Sequence, residues 1–579
     1  MNHTAQFTPA LQAAYDADLK VLDAAKHDWA DTSVGDRIGM LVQVKNNLAK
    51  VAEDWAAMAA KAKGIPDGSP LMGEEWFSGP YALMSTCNGL ITTLSKMADK
   101  AFLDPLPKRE LPNGRMAVRV LPHSIWDHLL LSGITAEVWM QEGVSARNLK
   151  DHAASAYDIP EGQRVGKVAL ILGTGNIAAI TPLDAFQKLF LENQVALVKM
   201  NPVNDYLTEY LNHALQPLID ANALRVHRGD GAAGAYLTNH ALVEEIHITG
   251  ARATHDAIVW GVGETGTKNK AAGTPANTRP ITSELGAVCP TIVVPGPWTA
   301  ADLRFQAENI ATMKLHNSGF NCVALQCLIL PKGWNETDRL MAEISSVIEK
   351  HTERAAYYPG TDTRMDAFNS HSTKVRSVKR GAEGPACLVA DMEHGDTDWL
   401  GQNEVFAPAM GVMHLDAPNA ETYLRAAIRW ANVTLYGTLG GNIVIHPATI
   451  RAMGRKRFDE IIAEFRYGTV AINTWTGLAF LATACPWGGF AGASPCHVES
   501  GIGTVHNTFM LVRTERTVVE APFRPFPRNL LSGRMTLLPR PPWFVSNTRQ
   551  DKLGKLLTQF QYRPSVRKLP RIFLHALSG

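Results

Sequence analysis

The sequence contains no window that approaches about 18 uninterrupted apolar residues, the length a membrane-spanning helix needs. Its opening, MNHTAQFTPALQAAYDADLK, has no basic segment followed by an apolar one. Neither secretion nor membrane spanning is therefore expected, and a cytoplasmic protein is. Cysteine is sparse: Cys87, Cys289, Cys322, Cys327, Cys387, Cys485 and Cys496 form an odd set without paired spacing. That argues against a secreted disulfide framework and a cysteine-based metal site, and for a reducing compartment. Charge of one sign is missing too. With 56 Lys plus Arg against 55 Asp plus Glu, no whole-chain field would recruit nucleic acid or an anionic surface. No repeat of solenoid length and no low-complexity segment is present.

What is present is enough apolar material, 46% of 579 residues, for two or three cores. From about Ala5 to Lys63 apolar residues recur at helical spacing, as in Ile38, Leu41, Val42, Val44 and Leu48, which predicts surface-packed helices. Between Met116 and Met140, MAVRVLP and TAEVWM alternate like strands around a helix-like WDHLLLSG, the pattern of a projecting hairpin-like arm. From Lys167 to Gly286 strand, turn and helix repeat: KVALILGTGN, QVALVKMNP, LRVHRGDG and EEIHITG. The short β-branched runs and their Gly, Asn or Pro ends predict an α/β fold with a doubly wound parallel sheet, its ligand beyond the carboxyl ends of the strands. A second α/β run follows through TIVVPG, CVALQCLILP, FAPAMGVMHL, GTLGGNIVIHP and GTVAINTW. GETGTKNKAAGTPANT, Gly263 to Thr278, reads as a mobile loop.

Taken singly, Cys322 or Glu284 decides nothing; order and spacing do. Over roughly Val165 to Val518 the chain resembles the aldehyde dehydrogenase superfamily, whose motifs it carries in the family's order. Asn176 in LGTGN falls at the family's oxyanion asparagine, and Lys199 in VALVKMNP at its strand-ending lysine. ITG at Ile248 to Gly250, SELG at Ser283 to Gly286, NSGFNC at Asn317 to Cys322, NEVFAP, and CPWGGFAGAS are similar to successive family motifs. The resemblance implies a Rossmann-type NAD(P)-binding domain, a catalytic α/β domain and a small β oligomerisation arm. It divides the chain into N-terminal helices (1–113), arm (114–164), nucleotide-binding core (165–285), catalytic domain (286–500), a bridging strand (501–521) and a tail (522–579). It also implies a homodimer or homotetramer, with the arm and TERTVVEA near Thr514 at the interface.

The chemistry can be stated from the residues. Oxidising an aldehyde requires a tetrahedral carbon, which a cysteine thiolate supplies by adding to the carbonyl. Cys322 fits that role. Asn176 and the Cys322 backbone N–H would stabilise the oxyanion, and Glu284 would activate the water that hydrolyses the thioester. On the cofactor side, Lys199 would bond ribose hydroxyls and Gly250 would open a helix onto a pyrophosphate; Gly229, Gly231 or Gly234 in GDGAAG would admit the adenine end, and the resemblance points to Gly234. Leu285, Gly286, Glu404 and Phe406 would hold the nicotinamide end. The chain departs from the family pattern at Pro202, where an adenine-ribose carboxylate is usual, leaving NAD or NADP open. Thr-Gly precedes Asn176 in place of Pro-Trp, and Phe320 and Ala407 also differ. His247 and His316 lack partners at metal-ligand spacing and read as structural, and Cys289 and Cys327 as packed thiols.

Three alternatives stay open: a CoA-acylating relative, which commonly lacks the general-base Glu, a catalytically inactive scaffold, and a nucleotide-binding module. Phe186, Trp475 and Phe480 either line an apolar substrate tunnel or pack in the core. The end of the chain differs in kind. From Phe523 to Gly579 it has eleven Lys or Arg against one acidic residue, Asp551, among many Pro and aromatics. Its prolines predict an extended first half, and Leu553, Leu556, Leu557 and Phe560 share one face of a helix. Such a tail is either a basic anchor on anionic lipid or an arm packed on a neighbouring subunit or across the substrate entrance, the packed arm being favoured.

Overall fold

The computed structural model describes residues 6–351, 354–380, 384–392, 397–532 and 536–579. The repeating units of the first half form a parallel five-stranded sheet. Its order is Leu224–His227, Val195–Lys199, Val168–Leu172, Glu245–Gly250, Ile281–Leu285. Val168–Leu172 and Val195–Lys199 are buried at every position, because helices cover both faces of a parallel sheet. Pro9–Ala30 packs on Val195–Lys199 and Val168–Leu172, and Val34–Ala62 packs on helix Thr208–Ala214; the two helices start at the caps Thr8 and Ser33. Leu41, Val44 and Leu48 turn inward from the second of these, whereas Val42 is 43% exposed.

The second α/β run builds most of an eleven-stranded sheet. At its centre Gly440–Val444, Cys289–Val293 and Leu325–Pro331 run parallel, flanked by Thr469–Ile472 and Ala409–Leu415. The arm has its expected strands, Met116–Leu121 and Thr135–Met140, joined through helix Ile125–Leu130. It does not project. Thr135–Met140 pairs with Thr514–Glu520, which runs parallel to Thr469–Ile472, so the arm completes the chain's own large sheet. Charges fix it there: Arg109 bonds Glu137 on the arm and Asp459 on helix Arg455–Glu464, and Arg455 bonds Asp459 and Glu520.

GETGTKNKAA is a helix, Gly263–Ala272, rather than a mobile loop. Its residues are poor helix formers, and tertiary contacts overrule them. Lys268 pairs with Glu264, Lys270 reaches Asp256 on the preceding helix, and a Cβ on Gly266 would lie 2.1 Å from the Gly261 carbonyl oxygen. Gly273, with φ of +67°, ends the helix in the left-handed region.

The tail packs on its own chain. Arg524 and Arg528 both bond the buried Asp302 on helix Ala300–Leu315, Arg540 and Ser546 bond Glu308 one and a half turns on, and Thr312 accepts the Val545 amide. Helix Gln550–Tyr562 buries Leu553, Leu556 and Phe560, and it crosses Met72–Trp76 so closely that a Cβ on Gly73 would meet Gln550 at 2.4 Å. Three of the tail's eleven basic residues, Arg524, Arg528 and Arg540, are thus paired with acids of the domain they pack on. Burial raises the Asp302 pKa, but the Arg524 bonds and the Thr299 cap outweigh it and hold this carboxyl well below the usual range. Asp302→Asn is expected to destabilise the protein by about 3 kcal/mol, since it removes the buried carboxylate that both arginines share. The check is a denaturant titration at neutral pH. The difference from the parent should shrink as pH falls below the ordinary carboxylate range, where a depressed pKa stops contributing stability.

No helix among the described residues is long and apolar enough to cross a membrane.

Candidate active site

The nucleophile candidate follows helix Ala300–Leu315 on a loop with three successive left-handed residues, Asn317, Ser318 and Gly319, with φ of 52°, 57° and 84°. Two of these are not glycine, a conformation that surrounding structure must enforce. Asn317 is held on all sides. Its N–H donates to Glu74, its carboxamide donates to the Asn176 and Phe320 carbonyls, and its Oδ1 accepts from Tyr357. Behind it lies a buried charge network. Arg354 bonds Glu74 and Glu75, Lys63 pairs with Glu75 at 2.8 Å, and the Lys63 ammonium donates to the Asn176 carbonyl at 2.9 Å. Lys63, Glu74, Glu75 and Arg354 therefore position both the Asn176 turn and the Cys322 loop. They fall outside every motif quoted above. The one sequence signal was GEEW, two acids inside an otherwise apolar stretch.

Cys322 and Glu284, 38 positions apart, meet here. The Cys322 thiol donates to Glu284 Oε1 at 3.2 Å. Burial and the Asp184 charge push the Glu284 carboxyl up to about 7, while hydrogen bonds from Cys322 and Trp487 pull the other way. The Cys322 thiol is pushed well above its ordinary value by burial and by the carboxylates of Glu284 and Glu404. At rest the pair is thus a neutral thiol beside a carboxyl that exchanges its proton near neutrality, poised for general-base chemistry. Asn176 Nδ2 donates to the Phe320 carbonyl at 3.2 Å and Oδ1 accepts from Thr174. A carboxamide has two N–H hydrogens, so one remains for an oxyanion.

A narrow cavity of about 30 Å³ lies against Cys322, lined by Phe77, Ile177, His316, Trp475, Phe480 and Trp487 among others. Trp475 and Phe480 line this cavity, whereas Phe186 packs in the core against Phe190, with ring centroids 5.2 Å apart. Cys289 Sγ contacts the Cys322 carbonyl and Cys327 contacts Met392, both buried. His247 bonds Thr282 and Thr249.

The other predicted residues cluster along the carboxyl ends of the five-stranded sheet. Lys199 is buried, its Nζ donates to the Gly229 carbonyl at 3.2 Å, and burial lowers its pKa to about 8 against the pull of Asp230. Its Cε lies 3.9 Å from where a Gly234 Cβ would be. Gly250 ends its strand, and helix Arg252–Trp260 begins with no side-chain cap, leaving its first N–H groups for another partner. Glu404 packs on Gly286, where any Cβ would lie 1.7 Å from its Oε2. Leu285 is buried in strand Ile281–Leu285, and Phe406, with φ of 47°, meets Tyr358 edge-on at 5.0 Å. Glu404 is half-buried with its Oε1 enclosed and unpartnered, and desolvation raises its carboxyl to about 8 despite Lys314 and Arg364.

No protein-family model matches the sequence, and no curated protein does. Solved structures do. The chain is 15% identical to an aldehyde dehydrogenase C variant from Pseudomonas syringae complexed with NAD+ and octanal, covering 89% of this chain and 90% of that one at a TM-score of 0.59. It is 16% identical to a Mycobacterium tuberculosis aldehyde dehydrogenase complexed with NAD+, over 88% and 90% of the two chains at 0.58. A gamma-glutamyl-gamma-aminobutyraldehyde dehydrogenase from Burkholderia cenocepacia is 16% identical over 88% of each chain, also at 0.58. The chain thus has the fold of the aldehyde dehydrogenases.

Proposed function

We propose that this protein is an NAD- or NADP-dependent aldehyde dehydrogenase that oxidises an aldehyde to a carboxylic acid. The observation that carries the reading is the 3.2 Å contact between Cys322 Sγ and Glu284 Oε1 beside an apolar cavity. As Glu284 takes the thiol proton, Sγ adds to the aldehyde carbon, and the carbonyl oxygen gains a negative charge. Asn176 Nδ2 and the Cys322 N–H are the donors for it. A nicotinamide, when bound, supplies the acceptor for the hydride that leaves the resulting thiohemiacetal. Glu284 releases the thiol proton to solvent and, as a carboxylate again, draws a proton from water. The water oxygen adds to the thioester carbon, the C–S bond breaks, and Cys322 regains its proton as the acid departs.

The cofactor residues fit a dinucleotide. The unpartnered buried Glu404 Oε1 suits a ribose hydroxyl, the uncapped start of Arg252–Trp260 suits a pyrophosphate, and Lys199 suits the adenine ribose. Gly234, Gly250 and Gly286 keep the backbone open along that path, with Leu285 and Phe406 at the nicotinamide end. Two solved relatives of the same fold carry NAD+, one of them with octanal. Pro202 leaves the adenine ribose without a carboxylate, so both dinucleotides belong in the test. The full chain is mixed with an aldehyde and NAD or NADP, with and without CoA. Reduced dinucleotide and free acid in one-to-one ratio, at a rate independent of CoA, is the expected result. Acyl-CoA as the product would replace this reading with the CoA-acylating one, and no reduction of either dinucleotide would end it.

A further inference from the structure

A second cavity, of about 430 Å³, lies where helix Ala82–Leu94, the arm around Leu121–Leu131 and the tail from Pro542 to Pro564 meet. Trp126 and Leu130 come from the arm, Leu478 from the helix beside the throat, and Trp543, Leu557 and Phe560 from the tail. Trp126 meets Phe560 edge-on at 5.2 Å, and Phe77 packs in one cluster with Leu553 and Phe560. Phe77 and Leu481 border both this cavity and the narrow one at Cys322. The two spaces are therefore an outer vestibule and an inner throat.

We infer that the vestibule receives the alkyl chain of an unbranched medium- to long-chain aliphatic aldehyde, delivered carbonyl first past Phe77 and Leu481 to Cys322. This rests on the dehydrogenase reading above. The volume falls within the range of about 300 to 1,000 Å³ typical of ligand sites, and aromatic and leucine walls favour methylenes over water. The throat at Cys322 has room for about one water molecule, so branching or a ring next to the carbonyl would not pass. Most polar wall groups are already satisfied: Asn88 bonds Gln561, and Asp127 bonds His123. Lys45 is the remaining charged group on the wall. The tail is what turns an open groove into an enclosed space, and its ion pairs to Asp302 and Glu308 hold it there.

The test is kcat/KM of the full chain over straight-chain alkanals of about two to about sixteen carbons. Burying methylenes should raise it roughly threefold for each one added, up to a plateau where the vestibule is full. Ser85→Phe, which fills the wall from the helix side, and Leu557→Trp, which fills it from the tail, should each lower the long-to-short ratio by at least about tenfold. Quenching of tryptophan fluorescence by a bromine-tagged dodecyl alcohol reads occupancy without turnover, and Ser85→Phe should abolish it. A flat chain-length profile with no quenching, in an enzyme that oxidises short aldehydes, overturns the vestibule and spares the dehydrogenase. Quenching lost in Ser85→Phe, in a protein that oxidises no aldehyde, does the reverse. Quenching that survives Ser85→Phe also overturns the vestibule.

Discussion

Cys322→Ala is expected to lower aldehyde oxidation by about four orders of magnitude or more, because loss of a covalent nucleophile leaves only binding and the oxyanion donors. Dinucleotide affinity should stay within about twofold of the parent. Lys199, Gly250 and Glu404 do not depend on the thiol, and an alanine at the cavity floor removes no bond from the Asn317 network. The two measurements are steady-state turnover and a fluorescence titration with the reduced dinucleotide. Cys289→Ala is the control, being buried and directed at the Cys322 carbonyl rather than the cavity. Residual turnover above about one per cent in Cys322→Ala would remove the thiol from the mechanism.

The pair proposed to react, Cys322 and Glu284, was singled out in the sequence by the order of motifs that resemble a family's, and the fold brings the two into contact at 3.2 Å. What holds the pair was not. Lys63, Glu74, Glu75 and Arg354 come from segments with no motif, and only folding brings Arg354 onto Glu74 across 280 positions. A lysine or glutamate in a helix reads as solvated surface. Its burial depends on what packs over it, which local pattern does not carry.

A similar limit applies to the larger architecture. Alternation revealed the strands of the arm, whereas Thr514–Glu520, read as strand-like, is buried at every position. Neither pattern shows which sheet a strand joins, because the backbone groups that pair strands are the same at every position. The charges that settle the matter, Arg109 with Asp459 and Arg455 with Glu520, lie 350 and 65 positions apart. For the tail, proline spacing and the Leu553–Phe560 face gave the right local structure, and the net positive charge left lipid and protein as competing surfaces. The buried Asp302 resolves this in favour of protein, and the vestibule it helps to close makes the tail part of the substrate's surroundings.

Glu284→Gln should separate the two halves of the reaction. The thioester still forms, more slowly because solvent has to take the thiol proton that Glu284 accepts in the parent, and it then persists because no carboxylate activates water. A pre-steady-state burst of about one reduced dinucleotide per site, followed by turnover slowed by about 100-fold or more, is the expected trace. In the parent, turnover should fall as pH drops through about 7, where Glu284 takes up its proton, and the variant should lose that limb of the profile. Stability moves the other way. A carboxyl raised from 4.5 to about 7 on folding binds a proton in the folded chain at pH values where the unfolded chain has released it. Folding stability therefore declines as pH rises through that window, by on the order of 3 kcal/mol once pH exceeds 7. Glutamine removes this penalty, so the variant should resist denaturant better than the parent at pH 8 and no better at pH 4.5. A variant that turns over as fast as the parent, or that is no more stable than the parent at pH 8, would mean that Glu284 is not the buried base its contact with Cys322 indicates.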